Sequence, residues 1–294
     1  MSTIDPKTSR VIAVGNFDGV HLGHVKVLKA AAKSANNKNE TAAAMTFEPH
    51  PKDYFCGEGT VKKITDEKTK TQLILETGIT EHIIEKFDYE LANMSSDEFV
   101  LMLKNKYNCT EIVCGSNFRF GKKAAYSTEE LKFSCEKFGL KTTVCVYEEG
   151  FSSTKIREFL TDGDVETAAK LLGRNYSIRG TVLHGRHIGT EIGFPTVNLT
   201  TEKDLILPRF GVYETKVIFG KSVFQGITNV GLAPTVSDDS TNIRTETFIL
   251  NTNIDLYEKE ITVEFIKFIR PEKKFGSLEE LKNQIKSDID KIGK

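Results

Sequence analysis

The stretch Val11–His24, VIAVGNFDGVHLGH, decides how the first half of this chain folds. An apolar run from Val11 to Val14 breaks at Gly15, and a short loop carries Asn16, Phe17, Asp18 and Gly19. His21 and His24 then bracket Leu22 and Gly23 as a helical pattern begins. This reads as a strand running into a helix N-terminus. In open parallel sheets, ligands bind outside the carboxyl ends of the strands. The first amides of a helix are unpaired and its dipole is positive there, so the junction suits an anion. Two histidines alone are more often caps or core residues, and no carboxylate or cysteine joins them at metal-ligand spacing. Here they follow a glycine-rich turn, and Gly23 allows close backbone approach to a ligand. Phosphoryl and nucleotidyl transfer need donors aimed at phosphorus oxygens as charge develops. Two imidazoles over a helix N-terminus fit that work.

Outward from this junction, strand and helix signals alternate. The helix after the loop places Leu22, Val25, Leu28, Ala32 and Ala35 on one face. Thr41 to Phe47 reads as a second strand, and Pro49 and Pro51 stop any regular element beyond it. Thr65 is a candidate cap for a helix carrying Leu73, Ile74 and Leu75. Further strands are expected at His82–Phe87, Thr110–Cys114 and Lys141–Tyr147, with capping boxes at Ser95 and Ser127 before two more helices. Strands separated by helices imply a parallel α/β sheet. Ser152 to Gly173 reads as two short helices, the second capped by Asp164, that close the first half.

From Tyr176 short strands dominate: 177–183, 212–219, 222–230, 245–250 and 260–269. Turns rich in Gly, Pro and Asn separate them, the pattern of a small antiparallel barrel or sandwich. Ser277 caps a final helix whose apolar stripe is Leu278, Leu281, Ile285, Ile289 and Ile292. The expected architecture is a Rossmann-like α/β domain, residues 1–175, followed by a small antiparallel β-barrel domain with a C-terminal helix, residues 176–294.

Composition limits the partners. Of 294 residues, 40 are basic and 41 acidic, a net charge of −1. No single-sign field recruits nucleic acid or a membrane surface. No run approaches the ~18 apolar residues of a membrane span. The start, MSTIDPKTSR, lacks the apolar core of a secretory signal. Five cysteines without a CxxC pair read as reduced thiols, which makes the cytoplasm the expected compartment.

GNFDGVHLGH resembles the HxGH signature of the nucleotidyltransferase superfamily, and Ser152-Ser153-Thr154-Lys155-Ile156-Arg157 resembles its second element at a later helix start. Together with FEPHP at Phe47–Pro51 and NFRFG at Asn117–Gly121, these are similar to the adenylyltransferase module of bacterial bifunctional riboflavin kinase/FAD synthetases. The resemblance implies that His21, His24 and Arg157 act at the α-phosphate of ATP. It implies nucleotide contacts from Gly15, Asn16, Phe17, Asp18, Gly23, Ser153 and Thr154. Asn117, Phe118, Phe120 and His50 would meet the flavin, with buried packing equally open for either phenylalanine. RGTVLHGRHIGTEIGFPTVNL, Arg179 to Leu199, resembles the riboflavin kinase signature, with GFPTVN for the usual GFPTAN. It implies Mg²⁺ on Thr196 and Asn198, nucleotide approach at Gly180, Gly185 and Gly189, and Glu246 as general base. Two residues apart on an extended segment, Thr196 and Asn198 share a face and one ion.

The sequence departs from that pattern at Thr190 where arginine is frequent, at Val197 for alanine, and at Tyr126-Ser127 where Gly-Asp is common. The expected substrates and products are riboflavin, FMN, FAD and ATP, with Mg²⁺; nucleic acid and membrane are not expected partners, and oligomeric state stays open. The competing readings are an FMN adenylyltransferase with a silent second domain, a non-catalytic flavin-binding regulator, and a cytidylyltransferase.

Overall fold

A computed structural model describes residues 8–146, 150–183, 194–232, 243–252 and 254–292. They form two compact units, one of residues 1–63 and 67–153, the other of residues 64–66 and 154–294.

The first unit holds strands β1 (Arg10–Val14), β2 (Thr41–Glu48), β3 (Glu81–Lys86), β4 (Cys109–Gly115) and β5 (Lys141–Cys145). They pair in the order β3-β2-β1-β4-β5, and every pairing is parallel. Helices α1 (Leu22–Lys38), α2 (Pro51–Cys56), α3 (Glu67–Leu75), α4 (Tyr89–Asn93), α5 (Ser96–Tyr107) and α6 (Thr128–Phe138) connect them. All of β1 is buried, and its residues alternate between two cores. Val11 and Ala13 join Val27, Leu28, Ala31 and Ala35 of α1. Ile12 and Val14 join Phe99, Val100 and Leu103 of α5 and Leu131 of α6. A central strand covered on both faces is what a parallel sheet requires.

Both expected capping boxes form, at Ser95 with Glu98 and at Ser127 with Glu130. Three local expectations change. The buried face of α1 runs through Gly23, Val27 and Ala31, while Leu22, the first residue of the helix, is exposed. Pro51 does not end structure: it takes the first position of α2, where its missing N–H and fixed φ suit a helix start. And α3 begins at Glu67, two residues beyond Thr65.

Buried polar groups in this unit set its response to acid. Glu111 on β4 is fully buried and accepts from Lys38 (2.7 Å), Ser34 (2.6 Å) and Thr143 (2.7 Å). Burial alone would raise its carboxyl, but these donors and the Lys38 charge bring it down to about 2. His82 on β3 lies between the hydroxyls of Thr46 (2.8 Å) and Thr71 (2.9 Å). Burial, and then the Lys70 charge, push its imidazole down to about 4. Both groups are more acidic folded than unfolded, so each contributes stability that acid removes. His82 loses its share between pH ~6.5 and its folded value, and Glu111 between pH ~4.5 and its own. Each is worth at most roughly 3.5 kcal/mol at ~1.4 kcal/mol per unit. Thermal melts across this range are expected to show falling stability, with His82→Gln flattening only the upper part. An unchanged profile in that variant excludes His82 as the group responsible.

In the second unit, β6 (Tyr176–Leu183), β7 (Thr196–Thr200), β8 (Gly211–Phe219), β9 (Ser222–Leu232), β10 (Ile243–Ile249) and β11 (Glu260–Arg270) close an antiparallel barrel. Its strand order is β10-β7-β6-β11-β8-β9. The expectation of a barrel holds, and the extended segment carrying Thr196 and Asn198 is one of its strands, β7. Inside, Thr215, Thr228 and Thr247 form a chain of hydroxyl hydrogen bonds (2.8 and 2.9 Å), which satisfies polar groups that no water reaches.

Helices α7 (Ser153–Asp162) and α8 (Val165–Leu172) were expected to close the first half. Beyond Ser153 they belong to the barrel unit. The reason is their apolar face: Ile156, Leu160, Val165, Ala168 and Leu172 share one core with Tyr176, Tyr213 and Phe265 of the strands. Asp164 caps α8 as expected, accepting from the Thr167 amide at 2.9 Å. The final helix α9 (Leu278–Ile289) also differs from its sequence pattern. Leu278 is exposed, and the residue that goes inside is Asp288, ion-paired to Arg270 of β11 at 2.8 Å. The helix is seated by a buried ion pair, with its apolar stripe only half covered.

Candidate functional site

In the first unit the Gly15–His24 loop stands at the carboxyl end of β1. The backbone there is strained. Phe17 (φ 48°), Gly19 (φ 78°) and Val20 (φ 38°) all lie in the left-handed region, which a β-branched residue rarely enters. Such strain clusters at functional sites because the surrounding structure holds it in place.

His21 caps α1, its Nδ1 accepting from the His24 amide at 3.3 Å. With Nδ1 an acceptor, Nε2 carries the proton of the neutral ring and is a donor. The His24 ring stacks on it, centroids 3.6 Å apart and 18° from parallel, and meets the edge of Phe17 at 5.4 Å. His21 is nearly buried and His24 partly exposed. Gly23 is closely packed in this arrangement: a Cβ there would lie 3.0 Å from His21 Cε1 and 3.3 Å from the Phe151 Cβ. At Gly15 the crowding atom would be the Phe17 ring, at 3.0 Å.

Asn16 reaches His50, its amide 3.2 Å from Nε2. His50 caps α2 by accepting from the Lys52 amide at 3.1 Å. Ser153 Oγ donates to the Asp18 carbonyl at 3.0 Å, which ties the residue to the loop. The sequence therefore anticipated a group that the fold assembles: Asn16, Phe17, Asp18, His21, His24, His50 and Ser153. Thr154 is exposed and Arg157 half-buried on the first turn of α7, both in the second unit.

After β4, Asn117 is exposed and Phe118 half-buried. Phe120 is buried against Phe99 (4.9 Å) and stacked on Phe118 (5.5 Å), so it packs the core rather than offering a free face. The Tyr126-Ser127 departure has a structural role: the Tyr126 ring covers Gly121, and Ser127 caps α6. The sequence reading missed an aromatic group at the carboxyl ends of β2 and β3. Tyr54, Phe55 and Phe87 meet edge to face at 5.2–6.0 Å, with Phe47 6.1 Å from Phe87, and Phe55 is 57% exposed. Its signal was the position of Phe47 and Phe87 at strand ends, on segments far apart in the chain.

In the second unit Thr245 and Thr247 point into the barrel, so Glu246 between them points out. In register Glu246 stands directly opposite Asn198 on β7 and Asn229 on β9. Opposite residues of an antiparallel pair share a face, with Cβ atoms ~4.5–5.5 Å apart. Thr196 is on that face one step along, opposite Phe248. Asn198 Oδ1 is buried and has no hydrogen-bond partner among the described residues. An orphaned carbonyl oxygen of this kind fits a hard cation such as Mg²⁺, with the Thr196 hydroxyl beside it. At Gly180 a Cβ would lie 2.4 Å from the Thr200 carbonyl, so the glycine lets β6 and β7 close together. Gly185, Gly189 and Thr190 lie outside the described residues. Val197 is half-buried and packs against the barrel core. Among the described residues no group of three His, Cys, Asp or Glu converges as a metal site, and no helix is long and apolar enough to cross a membrane.

Comparison with known proteins identifies both halves of the chain. The FAD synthetase family model matches residues 4–158, and the riboflavin kinase model matches residues 172–294. A bifunctional riboflavin kinase/FMN adenylyltransferase from Buchnera aphidicola is 34% identical, covering 98% of this chain and 94% of that relative. One from Haemophilus influenzae is 33% identical, covering 95% and 92%. A solved structure titled as a macrolide-efflux protein from Streptococcus pneumoniae superposes with a TM-score of 0.89 at 29% identity, over 98% of this chain and 94% of that one. The flavokinase match across the barrel disfavours a silent second domain, and the two matched models together leave no support for a cytidylyltransferase. A parallel sheet carrying a histidine-capped helix, a barrel carrying a Glu–Asn rung, and these relatives converge: the chain belongs to the bifunctional riboflavin kinase/FMN adenylyltransferase family.

Proposed function

We propose that the two reactions of this family run at the two centres described, riboflavin to FMN on the barrel face and FMN to FAD at the Gly15–His24 junction. The observation that carries this division is the Asn198–Glu246 register on one unit, set against the stacked His21–His24 pair on the other.

At the barrel, Glu246 takes the proton of the ribityl 5′-hydroxyl as that oxygen attacks the γ-phosphate of ATP, a role that needs a carboxylate within hydrogen-bond reach. Thr196 and Asn198 are the residues that would hold Mg²⁺, whose charge, when bound, offsets that of the phosphates. At the sheet, the FMN phosphate attacks the α-phosphate of ATP and pyrophosphate leaves. His21 Nε2–H and the His24 ring donate to the oxygens where charge develops, and the N-terminus of α1 adds its dipole. The family resemblance gives Arg157 of α7 the role of a cation for the triphosphate. Asn117, Phe118 and His50 border the flavin seat, and the exposed Phe55 and Tyr54 extend it as an aromatic platform. The cytoplasm is the compartment this reading assigns, supported by five cysteines that are all free thiols.

The direct test supplies riboflavin, ATP and Mg²⁺ and separates the flavins by chromatography. FMN followed by FAD is expected, and a chelator stops both steps until Mg²⁺ is returned. Conversion of added FMN to FAD with riboflavin untouched removes the kinase assignment; flavin binding without turnover makes the protein a regulator. Phe55→Ala is expected to raise the KM for FMN about tenfold in the second reaction, the worth of ~1.4 kcal/mol of ring contact, and to leave riboflavin phosphorylation unchanged. An unaltered KM for FMN takes Phe55 out of the flavin seat.

A further inference from the structure

The barrel rung has a third member that neither the family signature nor the kinase chemistry above uses. Glu246 lies between two asparagines, Asn198 on β7 and Asn229 on β9. Asn229 Nδ2 donates to Glu272 Oε1 at 3.3 Å. That carboxylate occupies space above Gly231, the next residue of β9 on the same face, where a Cβ would lie 1.7 Å from Oε1. The Glu272 carboxylate thus lies over Gly231, beside the rung.

We propose, on the kinase reading of this face, that Asn229 contacts the ribityl chain of the flavin and that Glu272 is its positioning residue. Two arguments lead there. Donor and acceptor oxygens are roughly in line across the transferred phosphoryl group. With the phosphates drawn to Thr196 and Asn198 on the β7 side of Glu246, the rest of the acceptor runs to the opposite side, over β9. Charge gives the same direction. A carboxylate beside Asn229 repels a triphosphate and accepts from neutral hydroxyls, so the β9 side suits a polyol. Because the Nδ2 group is committed to Glu272, Asn229 turns its Oδ1 to the substrate as an acceptor for a hydroxyl.

Steady-state kinetics of riboflavin phosphorylation test this. Asn229→Ser is expected to raise the KM for riboflavin about tenfold, the worth of one hydrogen bond near 1.4 kcal/mol, with the KM for ATP within about twofold. Glu272→Ala raises the riboflavin KM less, Glu272→Gln restores it, and the double variant Asn229→Ser/Glu272→Ala is no worse than Asn229→Ser alone, as expected of two groups acting through one contact. Formation of FAD from FMN by the same preparations stays at the wild-type rate. An unchanged riboflavin KM in Asn229→Ser, or an equal rise for ATP, overturns the proposal while the kinase assignment stands. A wild-type protein that makes FAD but cannot phosphorylate riboflavin removes the kinase reading and this proposal with it.

Discussion

His24→Ala is expected to lower FAD formation from FMN and ATP by ~10²–10³-fold in kcat and to leave riboflavin phosphorylation untouched. The size follows from removing one preorganised donor to a charge that grows in the transition state. The selectivity follows from the proposed division, in which the barrel unit has Glu246 as its own base and Thr196 and Asn198 as its own metal-binding oxygens. The variant should remain folded. The His21 cap accepts from the backbone amide of residue 24, which alanine keeps, and alanine favours the helix. What is lost is the ring stacked 3.6 Å from His21 and set edge-on to Phe17. His24→Gln, which restores a donor, is expected to recover part of the rate. Equal loss of both activities in His24→Ala would show that the histidine pair acts through the fold, and the two-centre assignment would fail.

Glu246→Ala is expected to do the reverse. Loss of a positioned general base costs ~10²–10⁴-fold, so FMN formation from riboflavin should fall by that factor while added FMN is still converted to FAD. The substitution is on the outer face of β10, and its neighbours Thr245 and Thr247 keep their places in the barrel interior, so little stability is at stake. Glu246→Gln preserves shape and hydrogen bonding but not basicity, and should be as poor as the alanine variant. Riboflavin kinase activity surviving in Glu246→Gln would exclude the carboxylate as base and leave it a hydrogen-bonding role. Both variants are read with the same chromatographic assay, each activity serving as the folding control for the other.

What was legible in the sequence was local. The apolar run Val11–Val14, the serines at 95, 127 and 277, and Asp164 each fixed a strand or a helix start, because caps and short apolar runs act over a few residues. The glycine-rich turn into His21 and His24 was legible for the same reason: the cap, the loop and the stacked rings belong to one continuous segment. So was the pair Thr196 and Asn198, two residues apart on one extended run.

Contacts between distant segments were not legible. Nothing local shows that Glu111 would be buried among Lys38, Ser34 and Thr143, or that Asp288 rather than Leu278 would be the inward residue of the last helix. The reach of each side chain depends on which way its element is turned when it docks. Nor is the packing of a glycine legible, because what its missing Cβ admits depends on a neighbour: the His21 ring at Gly23, the Thr200 carbonyl at Gly180.

By itself, then, the sequence determined the two fold classes, their order along the chain, and the residue types at each centre. These follow from hydrophobic period, turn chemistry and short motifs. Only the tertiary structure decided that the helical hairpin packs on the barrel, that four aromatic side chains gather at the ends of β2 and β3, and that Glu246 is flanked by Asn198 and Asn229. Those outcomes depend on strand register and on the shape of buried faces, which exist only once the segments have met.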